Sequence, residues 1–184
     1  PSRRMESWRF GTPGNESLEH AEAALPVAPE ALAPIIREHA SMPEALRIVY
    51  ANGLPVSIPE ELPEGLSVMD MEDFVLQYPD TARKYLETET ETLGSEKLSA
   101  LTTALQHNGL VIMADREISP PLEILHFISG DNVAVFPSTL LIAETGSRLH
   151  ILERHLSADH GRQFCGALQQ YHLSSASSVK YALV

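Results

Sequence analysis

The sequence predicts a mixed α/β N-terminal part followed by an all-β part wound as a β-solenoid. Three observations lead there. A strand–turn–strand phrase, Leu141 to Leu152, falls on Tyr171 to Ala182 when shifted by about 30 positions, and loosely on Val111 to Leu125 when shifted back. A period of that size marks stacked supersecondary units. Helix signals vanish from Leu110 onward, whereas caps, prolines and an Asn-Gly turn before it mark short helices and a hairpin.

A single coil of roughly 30 residues loses about 1–2 kcal/mol of backbone entropy per ordered residue. It buries six to eight inward side chains, each worth about 1.5–3 kcal/mol. One coil therefore cannot stand alone and must stack on another. The competing arrangement is an antiparallel sandwich, whose strands also recur between turn signals.

In chain order, the first feature is Glu6-Ser7-Trp8-Arg9-Phe10, an arm anchored by the single tryptophan. Asn15 or Ser17 caps an expected helix through Leu25. Pro29 opens a second helix, Glu30 to His39, in which Pro34 predicts a kink or two short pieces. Leu46 to Tyr50 and Leu54 to Ile58 flank Asn52-Gly53 as a hairpin, and Pro55 marks its second strand as an edge. Leu66 to Met69 is a short strand. Asp70 caps a helix over Met71 to Tyr78, and Asp80 caps another from Thr81 to about Glu87. The run from Glu87 to Thr92 reads as a solvated acidic connector. Ser95 caps a last helix carrying Leu98, Leu101 and Leu105, and Asn108-Gly109 is expected to stop it in a left-handed cap. The divisions are 1–92 for the mixed domain, 93–109 for a connecting helix and 110–184 for the first coils.

Composition narrows the function classes. The 184 residues carry a formal charge of −12 and are 43% hydrophobic. That field repels phosphate backbones and anionic membrane surfaces, so neither nucleic acid nor membrane is an expected partner. Cys165 is the one cysteine, which rules out an internal disulfide and fits a reducing cytoplasm. The apolar run Val179 to Val184 reads as a strand edge needing a partner, so the chain is expected to be part of something longer or to dimerise through that edge.

The sequence carries few motifs with a chemical reading. Neither a Gly-x-Gly-x-x-Gly, a phosphate-binding loop, nor a Gly-x-Ser-x-Gly elbow occurs. His150, His155, His160, Cys165 and His172 gather in the β region without the close paired spacing of a zinc site. His150 and His155 are an odd step apart and face opposite sides of one strand. Of these, His155, His160 and Cys165 are the weak metal candidates, and Cys165 reads foremost as a small buried hydrophobe. The carboxylates Asp115, Glu117, Glu123, Asp131, Glu144, Glu153 and Asp159 fall at different phases and suggest no acid–base pair. No catalytic or cofactor-binding residue is assigned.

The order of the segments has a family resemblance. Glu6 to Phe10, Ile48 to Gly53, Leu62-Pro63-Glu64-Gly65-Leu66, Leu98 to Leu105, Asn108 to Ile112, Pro121 to His126 and Leu140 to Ser147 follow one another as in the SufB/SufD family of iron–sulfur cluster assembly scaffolds. The sequence resembles the SufD branch. The resemblance implies a right-handed parallel β-helix, here its N-terminal portion, and partners that are SufB-like and a SufC ATPase. It implies a non-catalytic subunit, with an iron–sulfur cluster or flavin arising only in the full complex. Where the SufB branch carries a cysteine after Leu-Glu-Gly, this sequence has Leu152-Glu153-Arg154-His155. The alternatives are a carbohydrate-binding or carbohydrate-cleaving β-solenoid and a bare protein-interaction solenoid.

Overall fold

A computed structural model of the chain describes residues 21–86, 102–106 and 108–184. The Trp8 arm, the acidic run and the start of the Ser95 helix lie outside the described residues. The described chain is mostly sheet. In order it forms β1 (Glu22–Ala23), α1 (Pro29–His39), β2 (Leu46–Ala51), β3 (Leu54–Ser57), β4 (Leu66–Asp70), α2 (Met71–Gln77) and α3 (Pro79–Leu86). A helical turn at 102–105 precedes β5 (Gly109–Ala114), β6 (Leu122–Ile128), β7 (Val133–Val135) and β8 (Ser138–Ala143). Then come β9 (Arg148–Ser157), β10 (Gln163–Cys165), β11 (Leu168–Leu173) and β12 (Ser178–Leu183).

Three sheets result, ordered β1-β7-β10, β11-β8-β5-β4 and β12-β9-β6-β2-β3. From β5 onward, successive strands visit the four-, five- and three-stranded sheets in turn, then repeat the cycle. Pairing along each ladder is parallel: β5 with β8 and β8 with β11, β6 with β9 and β9 with β12, β7 with β10. The antiparallel sandwich is thereby excluded. The predicted shift is reproduced residue for residue where it was strongest, with Leu141 opposite Tyr171 and Leu152 opposite Ala182. One layer earlier the register is a residue shorter, with Ile112 opposite Leu141 and Leu122 opposite Ile151. The antiparallel pairs, β2 with β3 and β4 with β5, come from the N-terminal segments that extend these ladders.

Alternation along the strands decides which side chains face inward. Ile48, Leu110, Ile112, Leu122, Ile124, Leu141, Leu149 and Ile151 share one interior cluster. The opposite faces are covered by helices. Leu32 of α1 packs with Val49, Leu125 and Phe127, while Phe74 of α2 and Ala82 and Tyr85 of α3 pack with Val111, Leu140 and Ile142. Strands buried on both faces explain why β6 and β8 carry apolar residues at adjacent positions, Ile124-Leu125 and Leu140-Leu141-Ile142.

The interior changes character along the stack. Inward positions of the first layer include Leu110, Leu122 and Ile124; the matching positions further on include Thr139, Gln169, Glu153 and Tyr181. A polar seam therefore opens above an apolar floor.

Several local expectations hold. Asp70 Oδ1 accepts from the Asp73 amide and caps α2. Asn52 and Gly53 take φ of 50° and 81° in the hairpin turn, and β3 with Pro55 is the sheet edge. Others are corrected. Residues 22–23, expected at the end of a helix, form a strand because they pair with Val133 and Ala134, and tertiary pairing overrides local propensity. Pro34 neither breaks nor divides α1, which runs as one element. Gly109 makes no left-handed cap but begins β5, where a Cβ would meet Ser138 Oγ at 2.5 Å. Its neighbour Asn108 accepts the Gly109 and Met71 amides through Oδ1.

Candidate functional site

The polar seam centres on Glu153 of β9. Two inward rows of the five-stranded sheet define it. Ile48, Ile124 and Glu153 form one row, and Tyr50, His126 and His155 the next. Parallel register thus sets His126 beside His155 on neighbouring strands.

Glu153 has no exposed side-chain surface, and its Oε1 lies 2.8 Å from His155 Nε2 and 3.4 Å from His126 Nε2. Gln169 Nε2 donates to the same oxygen at 3.2 Å. Oε2 accepts from the Tyr181 hydroxyl and, at 3.4 Å, from Thr139 Oγ1. Burial alone would raise the Glu153 pKa, but the donors around it outweigh that and hold the carboxyl well below the usual range. Burial would likewise depress His155, yet Cys165 and Glu153 on its two nitrogens raise it to about 9. At neutral pH the pair is a carboxylate and an imidazolium. Tyr181 is pushed up by burial and then by the facing carboxylate, so it stays a neutral donor.

His126 differs. It is 3% exposed, burial depresses its pKa, and neither ring nitrogen has a hydrogen-bond partner. Its Nε2 faces Glu153 without hydrogen-bond alignment. An unsatisfied buried polar group of this kind costs about 1–3 kcal/mol.

Cys165, at the end of β10, is exposed rather than buried, contrary to expectation, and its Sγ lies 3.4 Å from His155 Nδ1. The turn over residues 158–162 returns the chain to bring these two together. There Asp159 Oδ1 accepts from the Gly161 amide and Gln163 Nε2, while Oδ2 accepts from Ser129 Oγ and the Gly130 amide. His160 is exposed in that turn and stays apart from the cluster. His150 is exposed on the outer face of β9, as the odd step required. His172 packs on Tyr85, ring centroids 4.6 Å apart. Asp115, Glu117, Asp131, Glu144 and Asp159 are exposed. Glu123 is buried on the opposite face of the sheet from Glu153, held by Ser41 and Arg47.

Among the described residues, His126, Glu153 and His155 form the one group of three or more metal-ligating side chains whose donor atoms all lie within 4.8 Å of one another. Sequence inspection missed His126 and treated Glu153 as a stray charge. A shift of 29, one residue shorter than the one that aligns the later strands, places His126 on His155.

A layered parallel-sheet protein with a buried histidine–carboxylate cluster is the class these features define. No family model matches the chain. Over 97 residues, 52% of its length, it is 31% identical to an iron–sulfur cluster assembly SufBD family protein of Mycobacterium bovis. Two proteins of the same description from strains of Mycobacterium tuberculosis match equally. The match spans about a tenth of the length of these relatives. No helix among the described residues is long and apolar enough to cross a membrane.

Proposed function

We propose that this chain is part of a SufD-like, non-catalytic subunit of an iron–sulfur cluster assembly scaffold, working in the cytoplasm with a SufB-like subunit and a SufC-type ATPase. On this reading the three ladders are the faces of a right-handed parallel β-helix. The observation that carries it is the parallel register of about 30 residues, which accounts for the repeated phrase, joined to the similarity with SufBD-family proteins. His155, at the position where the SufB branch has a cysteine, favours the SufD branch. The iron–sulfur cluster is the cargo of the whole assembly, and no cluster ligand is assigned to this chain.

The outermost strands β10, β11 and β12 leave backbone edges beside exposed Leu173, Leu183 and Val184. Strand addition there, by further layers, a SufB-like subunit or a second copy, is the expected mode of assembly. A carbohydrate-cleaving reading needs two carboxylates flanking one bond. The two that are buried among the described residues, Glu123 and Glu153, lie on opposite faces of the sheet.

The test is affinity purification of the whole protein containing this chain, followed by identification of what accompanies it. Recovery of SufB-like and SufC-like proteins, with no ATP or glycoside hydrolysis by the chain alone, is expected. Glycoside hydrolysis by the purified chain would overturn the reading.

A further inference from the structure

We propose that His126, Glu153 and His155 form a binding site for one divalent first-row transition-metal ion, with His126 Nε2, His155 Nε2 and a Glu153 carboxylate oxygen as its protein ligands. The inference rests on the cluster alone and holds whether or not the chain serves cluster assembly.

Four observations support it. The three donor atoms lie within 4.8 Å of one another, as ligands of a single ion must. Two imidazoles and one carboxylate are the donor set of facial iron(II) and catalytic zinc sites, which leave positions open for water or a further ligand. His126 is 3% exposed and aimed into the cluster, yet its nitrogens have no hydrogen-bond partner. A proton on His155 Nε2 satisfies that ring and Glu153 but leaves His126 Nε2 only an unaligned approach of 3.4 Å to Glu153 Oε1. A cation between the three would engage His126 Nε2 together with His155 and Glu153, leaving only His126 Nδ1 without a partner.

The surroundings fit a built site. A ligating histidine commonly presents its other nitrogen to an outer partner that fixes the ring, and His155 Nδ1 meets Cys165 Sγ at 3.4 Å. Tyr181, Gln169 and Thr139 hold the carboxylate in the same way. Cys165 is exposed and the His155 side chain is 15% exposed. On binding, the proton that His155 Nε2 shares with Glu153 leaves to solvent and the nitrogen lone pair goes to the ion. Cys165 sits on the far nitrogen of that ring and is an outer partner.

The probe is Zn2+ in equilibrium dialysis of the 184-residue chain, with Co2+ as its spectroscopic substitute. One tight Zn2+ per chain is expected. His126→Leu, Glu153→Gln and His155→Gln should each weaken it by more than about 100-fold, whereas Cys165→Ser should cost less, about 10–100-fold, as loss of an outer partner does. Far-UV circular dichroism checks each fold. His126→Leu replaces an unpartnered buried group with an apolar one and should fold, so the site is tested even if Glu153→Gln does not. Absence of stoichiometric Zn2+, undiminished binding in the His126 and His155 variants, or a sulfur-to-cobalt charge-transfer band would each overturn the assignment.

Discussion

The rings of His126 and His155 stack 4.6 Å apart with planes only 12° from parallel, although the residues are 29 positions apart in the chain. Their environments diverge over that short distance. His155 is bonded on both nitrogens and His126 on neither.

That contrast predicts opposite responses to the same substitution. His155→Leu leaves Glu153 as an uncompensated buried charge and should destabilise the metal-free chain by about 3–5 kcal/mol. His126→Leu removes a buried group with no partner and should stay within about 1 kcal/mol of the parent, or gain. Urea unfolding in the presence of a chelator measures both; equal losses would show that the two rings are held alike.

A second carboxylate sets an acid limit on stability. Glu123 accepts from the Ser41 amide and hydroxyl at 2.8 and 2.7 Å and from Arg47 Nε at 2.8 Å. Burial works to raise its pKa, but these bonds outweigh that and lower it below the ordinary value. The folded chain therefore holds the proton less tightly than the unfolded one. The resulting stability is fully present above the unfolded pKa of about 4.3 and is lost as pH falls through the folded value. Unfolding free energy should drop as pH falls below about 5, and Glu123→Gln should flatten that part of the profile. An unchanged acid slope in the variant would remove Glu123 from the account.

The hairpin turn doubles as a tie between distant segments. Asn52 is buried at φ 50°, its Nδ2 donates to the Leu25 and Ser129 carbonyls, and its Oδ1 accepts the Ser129 amide. Asn52→Ala should cost about 2–4 kcal/mol from the lost bonds and the left-handed backbone. Asn52→Gly should cost less, since only the bonds are lost. Thermal unfolding of the two variants orders them; a milder alanine variant would contradict the assigned conformation.

Much of this was legible from residue pattern, and the omissions have physical causes. The shift aligning Leu141 with Tyr171 survives because parallel stacking repeats inward and outward positions. Asp70, Asn52 and Pro55 act as their local chemistry dictates. The strand at residues 22–23 could not be foreseen, since its partner lies more than a hundred residues away and only two residues pair. The Cys165–His155 contact depends on a turn closed by Asp159, which no periodicity records. His126 was overlooked for a different reason: a lone histidine in the apolar run Leu122–Ile128 looks like part of a core until its layer neighbour is considered.

The layered parallel register is what everything else stands on, and a pair of engineered disulfides in a Cys165→Ser background tests it directly. Arg148 lies opposite Ser178 on the outer face, and Leu152 opposite Ala182. Arg148→Cys with Ser178→Cys should oxidise readily within one chain, because neighbouring strands place the Cα atoms about 5 Å apart. Arg148→Cys with Ala182→Cys should not, the second cysteine lying four residues along the strand from the partner of the first. Were the two strands antiparallel about the same centre, the second pair would close and the first would stay open, and the account would fail.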